Sequence, residues 1–223
     1  MTLIKTVTLL KRRLGDSDVE FESLWAGVQR SSVALNSCYT RSRFKARGFR
    51  GEEFPFDGIA TRNVIGATSH LFERELDISD PAFSFSFEVA SETIKHGNGA
   101  LKLIILSKRN ADLTPVGFRS YWRDVHGKLT LNQSKFSTHL RAYRQNYIRP
   151  GSFRRLDNGE IPSNRAYDGM MEMWFDNLDG MNAAFQSEQY KTVMFPDEAN
   201  FITRGLSIAF VADELLPNLT ENR

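Results

Sequence analysis

His126 is where any chemistry in this chain would begin. It lies near the end of "FRSYWRDVHG" (Phe118 to Gly127), four positions after Trp122. At helical spacing this puts it on the apolar side of a helix, at the C-terminal end. The helix dipole there favours an imidazolium, while burial beside an indole favours the neutral ring. A histidine balanced between the two suits proton transfer near neutral pH; its other possible role is a structural hydrogen bond. Further on, "THLRAYRQNYI" alternates His139, Arg141, Tyr143, Gln145 and Tyr147 against Leu140, Ala142, Arg144, Asn146 and Ile148. The first set is expected to point into an interior cavity or to solvent, where Tyr143 and His139 would meet a phenol or enol oxygen.

"YDGMMEMWF" sets Asp168, Met170, Glu172 and Trp174 on one face, and Tyr167, Met171, Met173 and Phe175 on the other. The second face is the helix-facing core, so Glu172 falls on the cavity side. A carboxylate among apolar groups is expected to have a raised pKa and to act as an acid, or to pair with Arg141; a buried structural ion pair is the plainer alternative. Asp168, just before Gly169, suits a turn or backbone bond. Arg41, Arg43, Lys45 and Arg47 follow Tyr39 at alternate positions of "CYTRSRFKARGFR". They would hold a carboxylate or an acidic surface, or simply protect an edge strand by charge. No phosphate-binding glycine loop, cysteine pair or zinc-type histidine motif is present, and His70, His96, His126 and His139 lack metal-ligand spacing.

The elements that carry these residues occur twice. Shifted by 97 positions, Leu9–Gln29 aligns without gaps on Leu106–His126, pairing Lys11, Arg12, Phe21, Trp25 and Val28 with Lys108, Arg109, Phe118, Trp122 and Val125. Each copy reads as a β-rich run followed by a helix. Ser17 begins a capping box with Glu20, and Thr114 precedes Pro115 at the first helical position. The Phe, Trp and Val at i, i+4 and i+7 form a stripe that must face a sheet. Phe56-Asp57-Gly58 and Tyr167-Asp168-Gly169 correspond at a shift of 111, the difference taken up by the loop "IRPGSFRRLDNGEIPSNRA". Alternating strands with Phe85 and Phe87, and with Ile208 and Phe210, end the halves. Each half is therefore β-α-β-β-α-β, a ferredoxin-like order, with units at 1–95 and 101–216. The expected fold class is α+β, the two sheets packing face to face as a barrel within one chain or across a dimer.

A chain of 223 residues can bury a sizeable core, and a net charge of +2 gives no reason to expect nucleic acid or an anionic membrane as partner. Cys38 is the lone cysteine, so no internal disulfide forms and a reducing, cytoplasmic setting fits. The opening "MTLIKTVTLLKRRLG" puts its apolar run before its basic cluster, the reverse of a secretory signal, and is too short to span a bilayer. Seventeen phenylalanines allow an aromatic-lined cavity or an ordinary core.

"LSKRNADLTPVGFRSYWRDVHGKL", "LRAYRQNYI", "YDGMMEMWFDN" and "DEANFI" together resemble the EthD domain of the dimeric α/β barrel superfamily, over about Leu101 to Leu216. The N-terminal half looks like a degenerate second copy. The resemblance implies a ferredoxin-like fold, no metal or organic cofactor, a hydrophobic cavity, and a recurring histidine that falls on His126 but on Gln29 in the first copy. Members are linked to polyketide dehydration or decarboxylation and to breakdown of ethers and aromatics; the superfamily also holds cofactor-independent monooxygenases, cyclases and isomerases. The expectation is a cofactor-free lyase, or a cyclase or isomerase, acting on a hydrophobic aromatic or polyketide-like small molecule. Its rivals are a monooxygenase of phenols and a non-catalytic binding module. His126, Tyr143 and Glu172 are the candidate catalytic residues, Tyr121, Trp122, His139, Arg141 and Trp174 the candidate substrate contacts, and a homodimer is expected.

Overall fold

In a computed structural model that describes residues 3–30, 40–45, 56–65, 73–161 and 166–214, nine strands form a single sheet. The first half supplies β1 (Leu3–Leu10), α1 (Asp18–Arg30), β2 (Thr40–Lys45), β3 (Gly58–Ile65), α2 (Glu73–Leu76) and β4 (Phe85–Lys95). The second supplies β5 (Leu101–Ser107), α3 (Pro115–Tyr121), α4 (Lys128–Asn132), α5 (Ser134–Ser137), β6 (Ala142–Ile148), β7 (Arg154–Arg155), β8 (Gly169–Phe175), α6 (Leu178–Gln186), α7 (Phe195–Glu198) and β9 (Ile208–Glu214). Cys38, Tyr39 and Arg47 lie outside the described residues, as do the side chains of Arg41, Arg43 and Lys45, although the backbone of β2 is a strand.

The strand order is β2-β9-β5-β8-β6-β4-β1-β3, with short β7 pairing with β4, and every pairing is antiparallel. The halves share this sheet through the pairings of β4 with β6, β4 with β7 and β2 with β9. The sheet curls until the end strands β2 and β3 approach within 8 Å between Cα atoms. The result is a mixed α+β fold with a curled antiparallel sheet.

Period-2 alternation sorts the side chains into two cores. On the concave side, Val7, Leu9, Phe85, Phe87, Ile104, Leu106, Met170 and Phe210 pack together, so both halves contribute. On the convex side of the second half, Leu103, Tyr143, Tyr147, Met171, Met173 and Phe175 meet Phe118 and Trp122. Phe21 and Trp25 of α1 pack with Leu10 and Ala60 in a smaller convex core. Strand β8 is buried on both faces, as a central strand covered by helices outside and a closed interior inside must be.

The local devices that start the helices form as their chemistry requires. Ser17 Oγ accepts from the Glu20 amide at 3.2 Å while Glu20 Oε2 accepts from the Ser17 amide at 3.0 Å; Thr114 Oγ1 accepts from the Gly117 amide at 3.0 Å. Asp57 and Asp168 do the same work in their halves. Asp57 Oδ2 accepts from the Arg12 amide at 2.9 Å and lies 3.2 Å from Lys11 Nζ; Asp168 Oδ2 accepts from the Arg109 amide at 3.1 Å and lies 3.6 Å from Lys108 Nζ. Each carboxylate thus ties the end of one strand to the start of another.

The glycine after each aspartate lets a tryptophan approach. A Cβ on Gly169 would lie 2.5 Å from Trp122 Cζ3, and one on Gly58 would lie 3.1 Å from Trp25 Cε2. Both rings are wedged in packed cores and cannot swing away. Gly169→Ala is therefore expected to lower stability by about 1–3 kcal/mol through overpacking, and Gly58→Ala by less. Equilibrium urea unfolding of the two variants checks the order.

Candidate active site

The helix after β5 begins as α3, but its turn at Trp122–Gly127 is π-helical before α4 resumes. A π turn holds an extra residue, which rotates everything beyond it by about 100°. The effect shows against α1, which stays α-helical over Asp18–Arg30 and buries Phe21 and Trp25, with Val28 packed against them. In the second half Phe118 and Trp122 are buried as expected, but Val125 is 45% exposed and His126 only 4%. The i, i+4, i+7 stripe is corrected to 118, 122 and 126: the wide turn carries the valine out and the histidine in. Thr130, one turn on, is also buried, and its hydroxyl donates to the His126 carbonyl at 2.8 Å.

The imidazole meets Asp197 of α7. His126 Nδ1 is 2.8 Å from Asp197 Oδ2, and the ring centroid is 4.8 Å from that of Phe201. Asp197 Oδ1 accepts from the Tyr121 hydroxyl at 2.6 Å and from Asn200 Nδ2 at 3.1 Å. The hydrogen bond from His126, reinforced by those from Tyr121 and Asn200, holds the Asp197 carboxyl below its ordinary range. Burial and the bond to Asp197 push the Tyr121 phenol up. An ionised Asp197 can only accept, so the proton between the two groups sits on Nδ1. A base oriented through one nitrogen by a carboxylate has the other, Nε2, as its working face. The next residue of α7, Glu198, accepts through Oε1 from the Tyr190 hydroxyl at 3.2 Å, and burial raises its pKa.

Of the sequence candidates, His126 and Tyr121 come together here, with Trp122 packed beneath. Tyr143 does not face a cavity. It is fully buried on the helix side, its oxygen accepting from Trp122 Nε1 at 2.9 Å and Gln145 Nε2 at 2.8 Å, and burial pushes the phenol well up. His139 and Arg141 precede β6 rather than belonging to it; His139 lies near Gly180 of α6, and the exposed Arg141 pairs with Asp176. The parity of β6 is the reverse of that expected, because Tyr143 and Tyr147 join the helix-side core while Arg144 and Asn146 point inward.

Glu172 and Trp174 do face the interior, on the opposite side of the sheet from His126. Glu172 Oε1 is 3.1 Å from Lys102 Nζ, and its Oε2 is 3.9 Å from Lys5, 4.0 Å from Arg144 and 3.0 Å from Asn146 Nδ2. Lys102 Nζ also lies 4.5 Å from the centre of the Trp174 ring. Burial pushes the carboxyl up, but Lys102, Lys5 and Arg144 outweigh it and hold the pKa well below the usual carboxylate range. This overturns the raised pKa and the Arg141 partner expected for Glu172: the group is an ionised member of a buried charge cluster. Asp197 and Asn200 had no assigned role in the sequence, and their only signal was the "DEANFI" segment.

Residues 110–205 match the family model of the EthD domain. Over that stretch the chain is similar to the EthD domain. His126, Asp197 and Tyr121 all lie inside the match, whereas Lys5 and Lys102 lie outside it. No curated protein matches the chain. Among solved structures, an anthrone oxidase-like protein superposes with a TM-score of 0.60 at 7% identity, covering 97% of this chain and 92% of its own. A provisionally named chlorite dismutase gives 0.52 at 12%, covering 98% and 97%. A provisionally named monooxygenase from Lactobacillus acidophilus NCFM gives 0.50 at 10%, covering 96% and 94%. At such identities these likenesses bear on the fold alone, and they cover the whole curled sheet. Among the described residues no three His, Cys, Asp or Glu side chains converge as metal ligands, and no helix is long and apolar enough to cross a membrane.

Proposed function

We propose that the chain is a small-molecule enzyme in which His126, oriented by Asp197, removes a proton from a carbon acid of a hydrophobic, aromatic substrate. The observation that carries this reading is the 2.8 Å contact between His126 Nδ1 and Asp197, tied in turn to Tyr121. Such a base makes an enolate or phenolate without a metal, and the fate of that anion depends on the substrate. A β-hydroxy ketone loses its α-proton and hydroxide as water, which is the lyase outcome. An activated methylene attacked by dioxygen becomes a carbonyl with release of water, one oxygen atom going to each product. The likeness to an anthrone oxidase-like protein favours carrying this second reading beside the first. The repeated Asp locks and helix caps, and the strand order β9-β5-β8-β6, support reading the chain as two ferredoxin-like units, at 1–95 and 101–216, of which the second is active.

Anthrone is a suitable probe, because its methylene protons are acidic and its oxidation is visible. Under anaerobic conditions with no added cofactor, the purified protein is expected to speed exchange of those protons with deuterium from the solvent. Oxygen uptake on admitting air then separates oxygenation from elimination. Exchange no faster than in buffer, with anthrone and with a β-hydroxy aryl ketone alike, would sink the reading.

A further inference from the structure

The π turn that brings His126 inward is an unusual piece of backbone, and it has a dedicated partner. Gln145 is fully buried on the helix-facing side of β6. Its Nε2 donates to the backbone carbonyl of Trp122, the first residue of the turn, at 3.0 Å, and to the Tyr143 hydroxyl at 2.8 Å. Its Oε1 accepts from the Tyr147 hydroxyl, so the amide is held from both ends. Gly127, the last residue of the turn, gives the amide room: a Cβ there would be 3.0 Å from Gln145 Nε2 and 3.1 Å from the Trp122 oxygen.

We propose that Gln145, admitted by Gly127, is a positioning residue that holds the Trp122–Gly127 turn in its wide form and so sets His126 against Asp197. In an ordinary α-helix a carbonyl is bonded by the amide four residues on, and in a π turn by the amide five residues on, with poorer packing along the axis. A second donor on the Trp122 carbonyl compensates for that loss. Without it the helix gains by closing to α geometry, which returns Val125 to the inward position and rotates His126 away from α7. Gln145 touches no reacting atom in this scheme. The inference deepens the proposed function, since it assigns what aims the proposed base.

The deciding readout needs no substrate. In nitrogen-15 NMR spectra of the full chain, an imidazole Nδ1 proton bonded to a carboxylate exchanges slowly and resonates far downfield; His126→Gln assigns the signal. Gln145→Met keeps the length of the side chain but removes the donor, and Gly127→Ala crowds the amide from the helix side. Each is expected to lose the resonance while remaining folded by circular dichroism, and to slow anthrone proton exchange on the order of 100-fold. Tyr143→Phe removes the hydroxyl that accepts from Trp122 Nε1 but leaves the bond from Gln145 to the Trp122 carbonyl in place, and is expected to retain the resonance. Persistence of the signal in either folded variant would overturn the proposal, and should one variant fail to fold the other decides. If the resonance is lost but His126→Gln exchanges anthrone protons as fast as the native chain, positioning stands and the functional reading falls.

Discussion

His126→Gln is expected to reduce proton abstraction from an anthrone-type probe by about 10²–10⁴-fold while leaving the fold intact. Glutamine has comparable reach and can keep a hydrogen bond to Asp197, so the substitution removes the base rather than the packing against Phe201. Asp197→Asn is expected to bring a comparable loss by another route. The ring keeps its place, but the neutral amide no longer fixes the Nδ1 proton, nor does it stabilise the imidazolium that forms when Nε2 takes a proton. The tyrosine arm is weaker: Tyr121→Phe removes one of two further donors to Asp197, and Asn200 remains. Rates measured by deuterium incorporation, with circular dichroism as the folding control, order these variants. Should His126→Gln and Asp197→Asn exchange like the native chain, the pair is structural and the chain is better read as a binding module.

The second large effect concerns stability. Glu172→Gln is expected to destabilise the protein by about 3–5 kcal/mol, because it removes the carboxylate shared by Lys102, Lys5 and Arg144 inside the sheet. In a chain of this length that is a fall in Tm of roughly 6–20 °C. The pH dependence has a definite sign. The folded pKa of Glu172 is depressed, so its contribution is fully present above the unfolded value of about 4.3 and is lost as pH falls toward the folded value. The gap between native and variant Tm is therefore expected to be full at pH 7 and to narrow below about pH 4. Glu172 and His126 lie on opposite faces of the sheet, so anthrone proton exchange should survive the substitution at temperatures where the variant stays folded. Loss of exchange in a folded Glu172→Gln protein would move the active site to the interior.

Much of the scaffold was legible in the residues themselves. The caps at Ser17 and Thr114, the Phe-Trp spacing and the Asp-Gly steps are local devices whose partners lie within a turn or across one strand pair, and they form as read. The alternation in β8 likewise placed Glu172 and Trp174 inside and Met171, Met173 and Phe175 against the helices. In β6 the same reasoning failed, since both faces carry polar groups. Tyr143 and Tyr147 bring the larger apolar area and take the helix side, while Arg144 and Asn146 find charge and hydrogen-bond partners within.

The site itself shows where such reading stops. The sequence by itself determined that a histidine follows the repeated Phe-Trp stripe in one half and a glutamine in the other. The spacing from Trp122 also put that histidine on the apolar side, next to Val125; that it takes the inward place in Val125's stead depended on the hydrogen-bond register of its helix, and nothing in "WRDVHG" specifies five-residue bonding over four. That register is decided by what packs against the turn, here Gln145 from a strand 23 residues beyond Trp122. The partner of the imidazole is set the same way: Asp197 lies 71 residues from His126, on a short helix that only the assembled convex core holds in place. Side-chain types and local spacing thus determined the scaffold and named the histidine. Tertiary packing decided that it displaces Val125 from the stripe and which carboxylate it meets, because those depend on contacts between elements far apart in the chain.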